Sequence, residues 1–283
     1  DDLLQAVVSG LSGYCAKVGL KKIVLGLSGG IDSAVAACVA SAAVGPENVT
    51  GIAMPSKHSS DHSLADAKAT AAALGIEFLT IGIEDLHENT TELLSDLLAS
   101  GDKVAGENIQ ARLRGLIVMA HANANHAMAI ATGNKSELAQ GYCTLYGDMA
   151  GGYAPLGDLY KMEVYDLAEQ FNQRCEIPPV NESTMTKPPS AELAPDQRDD
   201  DKLPPYPVLD EILRLHIEDR LEASEIVAKG FEASVVADVL IRLAQNEHKR
   251  WQMPPAPRVS RRAFGQGWRQ PLAAKHALSL IHI

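Results

Sequence analysis

The stretch Leu25-Gly26-Leu27-Ser28-Gly29-Gly30-Ile31-Asp32-Ser33 decides the reading of this chain. Residues 22–27 form an apolar run with strand character, and Ala34, Val35 and Ala36 continue a helix that opens at Asp32-Ser33. Glycines between a strand and a helix let backbone N–H groups approach an anion, and the helix N-terminus adds its dipole. Two hydroxyls and a carboxylate lie on the same turn, so the segment reads as a phosphate cradle. It is not a Walker A loop, because no Gly-Lys-Ser/Thr follows. An ordinary strand-to-helix turn is the alternative, and the whole hexapeptide in this setting favours a nucleotide.

The same alternation continues on both sides of the loop. Residues 3–18 have the spacing of an amphipathic helix, and 33–43 form the helix after the loop. Strands are expected at 48–54, 77–81 and 127–132. Helices are expected at 61–74, 84–98, 107–125 and from 134 to 140, with Gly101 and Gly106 between the third and fourth strands breaking the helical run. Strands alternating with helices predict an α/β fold with a parallel, doubly wound, Rossmann-like sheet flanked by helices. Ligands of such sheets bind at the carboxyl ends of strands, so the loops after Leu27, Met54, Ile81 and Thr132 should line one crevice. Residues 176–207 break the pattern with many prolines and an acidic run at 196–201, and read as a long functional loop. A helical C-terminal region follows at 208–218, 224–229 and 233–248, and 250–283 is basic and irregular.

The chain has 283 residues, 46% of them hydrophobic, which is ample for one large core. A net charge of -11 argues against a nucleic-acid or membrane-surface binder and leaves anionic ligands dependent on local donors and a divalent cation. Cys15, Cys38, Cys143 and Cys175 are scattered without a Cys-x-x-Cys pair. That fits reduced thiols in a cytoplasmic protein. Neither a signal peptide nor a long apolar run is present. The chain begins without Met, which suggests a piece of a longer protein.

The loop resembles the SGGxDS segment of ATP pyrophosphatases, which adenylate a substrate and release pyrophosphate. Further motifs follow in order: Met54-Pro55-Ser56, Ser59-Ser60-Asp61-His62-Ser63, then 107–115 (ENIQARLRG), 132–137 (TGNKSE), 141–152 (GYCTLYGDMAGG), 187–193 (KPPSAEL) and 246–250 (NEHKR). This ordered set resembles NAD synthetases, in particular the synthetase domain of the glutamine-dependent type. The resemblance covers residues 3–271. It implies one domain over 1–271, with 272–283 as a tail whose apolar end, 277–283, lies outside the match.

The resemblance implies ATP-dependent joining of ammonia to deamido-NAD, with NAD, AMP and pyrophosphate as products. It assigns Gly26, Leu27, Ser28, Gly29, Gly30, Ile31, Asp32, Ser33, Thr132, Lys161 and Ser190 to ATP. It assigns Asn108, Arg112, Glu137, Asp148, His248 and Lys249 to deamido-NAD. Asp148 and Lys161 are the expected catalytic groups, and Asp32 and Glu137 the expected magnesium ligands. Hard carboxylate oxygens suit magnesium, which takes a few carboxylates plus phosphate oxygens. Asp148 sits where ammonium would be bound and deprotonated, and Ser190 lies in a lid over ATP. Each residue has a plainer reading too. Asp32 caps a helix, Glu137, Asn108 and Arg112 lie on polar helix faces, Lys161 is a surface charge, Asp148 a turn residue, and His248 and Lys249 belong to a helix end.

A two-fold dimer is implied, with Leu113, Leu116, Ile117 and Ala120 as its candidate face and subunit packing as the alternative. No cysteine here has the setting of the glutaminase nucleophile of the longer enzymes, so a missing N-terminal glutaminase domain, a separate glutaminase or free ammonia would supply nitrogen. Two other classes compete: another adenylating ATP pyrophosphatase, such as a GMP-synthetase-like amidase, and a non-catalytic nucleotide-binding subunit.

Overall fold

The computed structural model describes residues 2–57, 59–99, 103–188 and 203–273. Four strands, β1 (Lys22–Gly26), β2 (Val49–Ala53), β3 (Glu77–Thr80) and β4 (Ala127–Ala129), form one sheet in the order β3-β2-β1-β4. All neighbours are parallel; Ile23 pairs with Val49 on one side and Met128 on the other. The order reverses between β1 and β4, and a crevice opens at that switch point.

The N-terminal helices are α1 (Asp2–Val18), α2 (Ile31–Val44), α3 (Asp61–Leu74), α4 (Glu84–Leu93), α5 (Ser95–Leu98) and α6 (Lys103–Asn125). The later ones are α7 (Lys135–Gln140), α8 (Lys161–Arg174), α9 (Glu182–Thr186), α10 (Tyr206–Ile217), α11 (Ala223–Ala228), α12 (Ala233–Gln245) and α13 (Glu247–Arg250). β1 shows why the sheet is covered on both faces. Ile23 and Leu25, followed by Leu27 just past the strand, enter a core with Leu11 of α1, Val35 of α2 and Leu167 of α8. Val24 points the other way, to Ile52, Ala129 and the Val118 and Ala122 side of α6. A second core joins α7, α10, α11 and α12 through Leu138, Leu209, Leu213, Ile226 and Leu240. Among the described residues no helix is long and apolar enough to cross a membrane.

The expected sheet and C-terminal helical region are present, with shifted boundaries. The helix expected over 84–98 breaks at Leu94 into α4 and α5, and α6 starts at Lys103 with Gly106 inside it. β4 ends at Ala129, and Ile130 continues it only by a bridge to Tyr153. Asn246 separates α12 from α13. Two helices lie where none was expected. In α8, Val164, Leu167, Ala168 and Phe171 share one buried face, and Glu163 closes a capping box with Tyr160. In α9, the Asn181 side chain accepts from Thr184 N at the N-cap. The acidic run, Ser190 and the tail from 274 onward lie outside the described residues.

Candidate active site

A cavity of about 320 Å³ opens at the carboxyl ends of β1, β2 and β4. Its wall includes Ser28, Asp32, Ser33, Thr132, Glu137, Asp148 and Lys161. The loop after β1 is preset by its own bonds. Ser33 Oγ donates to Gly30 O at 2.9 Å and accepts from Ser28 N at 3.2 Å, while Ser28 Oγ accepts from Gly30 N at 3.2 Å. Gly29 has φ +81°, and a Cβ there would stand 2.1 Å from Ser63 O, so only glycine fits. Gly26, Leu27, Gly30 and Ile31 complete this side of the wall.

Asp32 does not act as the cap of α2; Gly30 holds that position. Its Oδ1 instead accepts from Asn134 Nδ2 at 2.8 Å, and its Oδ2 binds the Lys161 ammonium. Glu137 is not a solvated helix face either. Its Oε2 accepts from Asn134 N at 3.1 Å, and its Oε1 lies 3.6 Å from Lys161 Nζ. The capping box of α7 thus turns Glu137 toward the cleft. Lys161, the first residue of α8, is 1% exposed and lies 5.1 Å from the Tyr206 ring centroid. Asp32, Glu137 and Lys161, more than a hundred residues apart at the extremes, meet above the Ser28–Ser33 loop.

Asp148 opens onto the cavity and is exposed there, while protein atoms crowd its carboxylate. Loss of hydration raises its pKa to about 6. Backbone hydrogen bonds from Thr144 and Met149 and the charges of Lys249 and Arg114 oppose that rise. The Thr144 N–H donates to its Oδ1 at 2.8 Å.

Asn108, Arg112, His248 and Lys249 are not in the cavity wall. Three of them hold the segment that carries Asp148. Asn108 Oδ1 accepts from Thr144 Oγ1 at 2.8 Å, and the exposed Arg112 donates from Nε to Leu145 O at 3.3 Å. Lys249 Nζ donates to Gly141 O at 2.7 Å and Cys143 O at 2.8 Å. His248 is exposed, and its Nδ1 lies 3.0 Å from Gln245 O. Arg114 does enter the wall, donating from Nε to Met54 O at 3.1 Å. The signal for it was present in the sequence: Ala111, Arg114, Gly115 and Val118 share the face that α6 turns inward. Lys187, at the root of the 187–193 motif, also lines the cavity and donates from Nζ to Ser63 Oγ at 3.2 Å.

Residues 3–254 match the sequence profile of the NAD synthase family. The chain belongs to that family. The glutamine-dependent NAD(+) synthetase of Thermotoga maritima is 45% identical over 273 residues, which is 96% of this chain and 47% of that protein. The chain spans about half the length of the curated relatives it matches. Among solved structures, NMN synthetase from Francisella tularensis superposes with a TM-score of 0.74 at 30% identity, over 88% of this chain and 94% of that one. NH3-dependent NAD synthetase from Campylobacter jejuni, in complex with the nitrate ion, superposes with a TM-score of 0.72 at 28% identity, over 89% and 96%.

In this member of the NAD synthase family, Asp32 and Glu137 form a carboxylate pair that could hold a metal ion. Both offer a carboxylate oxygen to one cation, the Lys161 ammonium, beside the Ser28–Ser33 loop. Among the described residues no cluster of three or more His, Cys, Asp or Glu stands ready for a metal. Two converging carboxylates fit a cation that completes its shell with phosphate oxygens and water.

Proposed function

We propose that this chain amidates deamido-NAD to NAD, consuming ATP and releasing AMP and pyrophosphate. The observation that carries the reading is the meeting of Asp32, Glu137 and Lys161 over the preset Ser28–Ser33 loop in an NAD synthase chain. The nicotinate carboxylate is a poor electrophile, because an oxide leaves with difficulty. Its oxygen attacks the α-phosphorus of ATP, and the bond to pyrophosphate breaks. Negative charge grows on the departing pyrophosphate, where the loop N–H groups and the Lys161 ammonium stabilise it. Asp32 and Glu137 would hold magnesium, which would supply further charge stabilisation to the phosphates.

Asp148 takes a proton from ammonium. The freed ammonia attacks the acyl carbon, a further proton passes to solvent, and AMP departs with the bonding pair. A pKa of about 6 leaves Asp148 ionised at neutral pH and close to the value a proton acceptor needs. Asn108, Arg112 and Lys249 support deamido-NAD binding through the 141–148 segment, with Arg114 inside the cleft. Thr132, in the cavity wall, contacts ATP. The free state of all four cysteines supports action in the cytoplasm. The working form is a homodimer. Leu116 on α6 is 59% exposed, which supports a contact there. Leu113 is buried within the subunit and drops out of that face.

A second reading is favoured by the near-complete match to the Francisella NMN synthetase, in which nicotinate mononucleotide would be the acceptor. The test is purified chain with Mg-ATP, ammonium and either nicotinate nucleotide, with products separated by chromatography. NAD, AMP and pyrophosphate in equal amounts are expected from the dinucleotide. ADP as the stoichiometric product would overturn adenylation, and preference for the mononucleotide would transfer the assignment to the second reading.

A further inference from the structure

Lys161 is the central cation of the cleft, yet it begins a helix, where four backbone N–H groups lack intrahelical partners. Their treatment fixes the direction of its side chain. The Tyr160 N–H donates to Glu163 Oε2 at 2.8 Å, within the capping box. The next two N–H groups lead to α10. Lys161 N donates to Ser136 Oγ at 3.0 Å, and Met162 N donates to Asp210 Oδ2 at 2.9 Å. Ser136 Oγ in turn donates to Asp210 Oδ1 at 2.5 Å.

One carboxylate therefore joins the first turn of α7 to the first turn of α8. Those turns carry Glu137 and Lys161. Asp210 is 7% exposed and is not in the cavity wall, so it touches no nucleotide there. Burial raises the Asp210 pKa to about 6, and the hydrogen bonds from Ser136 and Met162, the α8 N-terminus and the Lys161 charge oppose that rise. Asp210 is separated by 74 residues from Ser136 and 48 from Met162.

We propose that Asp210 is a positioning residue for adenylation: through Ser136 and the first turn of α8 it sets Lys161 and Glu137 at their working separation. The proposal rests on the adenylating role given to those two residues above. Asp210 and Ser136 act as a unit, because Ser136 spends its only proton on Asp210 while its oxygen receives the Lys161 N–H. Replacing the carboxylate by an amide keeps an acceptor for Met162 N but leaves the Ser136 proton facing an amide. The turn then loosens without a cavity forming.

The experiment compares wild type, Asp210→Asn, Ser136→Ala, Lys161→Ala and the double variant Asp210→Asn/Lys161→Ala in ATP–pyrophosphate exchange with deamido-NAD, normalised to bound ADP measured by calorimetry. Coupled sites in one hydrogen-bond network are expected to be non-additive. Asp210→Asn should lower kcat about 10-fold or more with the KM for ATP changed less than about 3-fold, and by less than about 2-fold once Lys161 is Ala. Ser136→Ala should show the same pattern more weakly. Amide hydrogen exchange is the readout independent of activity. Exchange at Lys161 and Met162 should quicken in Asp210→Asn while that of α2 stays as in wild type. Additive losses in the double variant, or unchanged exchange at both amides, would overturn the positioning role. A wild-type protein that forms no AMP would overturn the adenylating reading instead, and the exchange data would still judge whether Asp210 sets the turn.

Discussion

Asp32 and Asp148 both face the cleft, and their surroundings give them different chemistry. Asp32 binds the Lys161 ammonium and an amide from Asn134, so its charge is matched. Asp32→Asn and Glu137→Gln each remove one negative charge at constant volume. Each should lower AMP formation on the order of 10–100-fold or more, with the melting transition retained. Normal rates at saturating magnesium would reduce both to structural groups. Asp148 is desolvated, and its pKa rises from 3.8 to about 6. The folded state therefore holds this proton more tightly than the unfolded chain. Its contribution to stability is full below about pH 4 and is lost as pH rises through about 6. Asp148→Asn should flatten that part of the stability–pH curve in thermal melts. The same variant should lower ammonium-dependent NAD formation roughly 10²–10⁴-fold at pH 7.5 while pyrophosphate exchange survives. At this scale the sequence exposed residue types more readily than their directions. Arg112 and Arg114 differ by about 200° around α6, and only the second points into the cleft.

The strand–loop–helix unit at 22–44 was legible because every signal for it is local: an apolar run, two glycines and a helix start. Its glycine requirement is equally local. Gly29→Ala places a Cβ at φ +81° and 2.1 Å from Ser63 O, so the loop must leave its conformation. Nucleotide binding should fall below detection by calorimetry, with a lowered melting temperature. α8 was missed although its apolar residues keep helical spacing, because its flanks are irregular loops and its cap is an uncommon Tyr160. The buried ion cluster under α7 was also not legible, since its members are far apart in sequence. Lys135 Nζ lies 3.0 Å from Asp158 Oδ1, 3.2 Å from Glu218 Oε1 and 2.8 Å from Ser260 Oγ, with the Tyr160 ring centroid at 4.6 Å. It joins α7, the residue after α10 and the 258–260 segment. Lys135→Met would leave two carboxylates without their cation, at a cost of about 3–5 kcal/mol. A urea midpoint close to that of wild type would show that the cluster contributes little.

Across the whole molecule, the crevice at the sheet's switch point followed from the alternation of strands and helices, while the contacts that complete it span up to 155 residues and depend on tertiary packing. The same scale governs the nitrogen source. Releasing ammonia from glutamine needs an activated nucleophile beside a base. Cys15 and Cys38 are buried, with burial pushing both thiols up, and Cys175 is exposed on the surface. Cys143 does line the cleft, but burial, reinforced by the charge of Asp148, pushes its thiol up to about 12. A thiol that stays protonated at neutral pH is a poor nucleophile. The chain should therefore make NAD from ammonium and not from glutamine. The curated relatives described as glutamine-dependent are about twice as long. Cys143→Ser should leave ammonium-dependent synthesis within about 3-fold of wild type, since a neutral side chain of similar size replaces a neutral thiol. Isotope-labelled glutamine gives the decisive measurement: amide nitrogen appearing in NAD, with this chain alone in ammonia-free buffer, would overturn the assignment of free ammonia as its substrate.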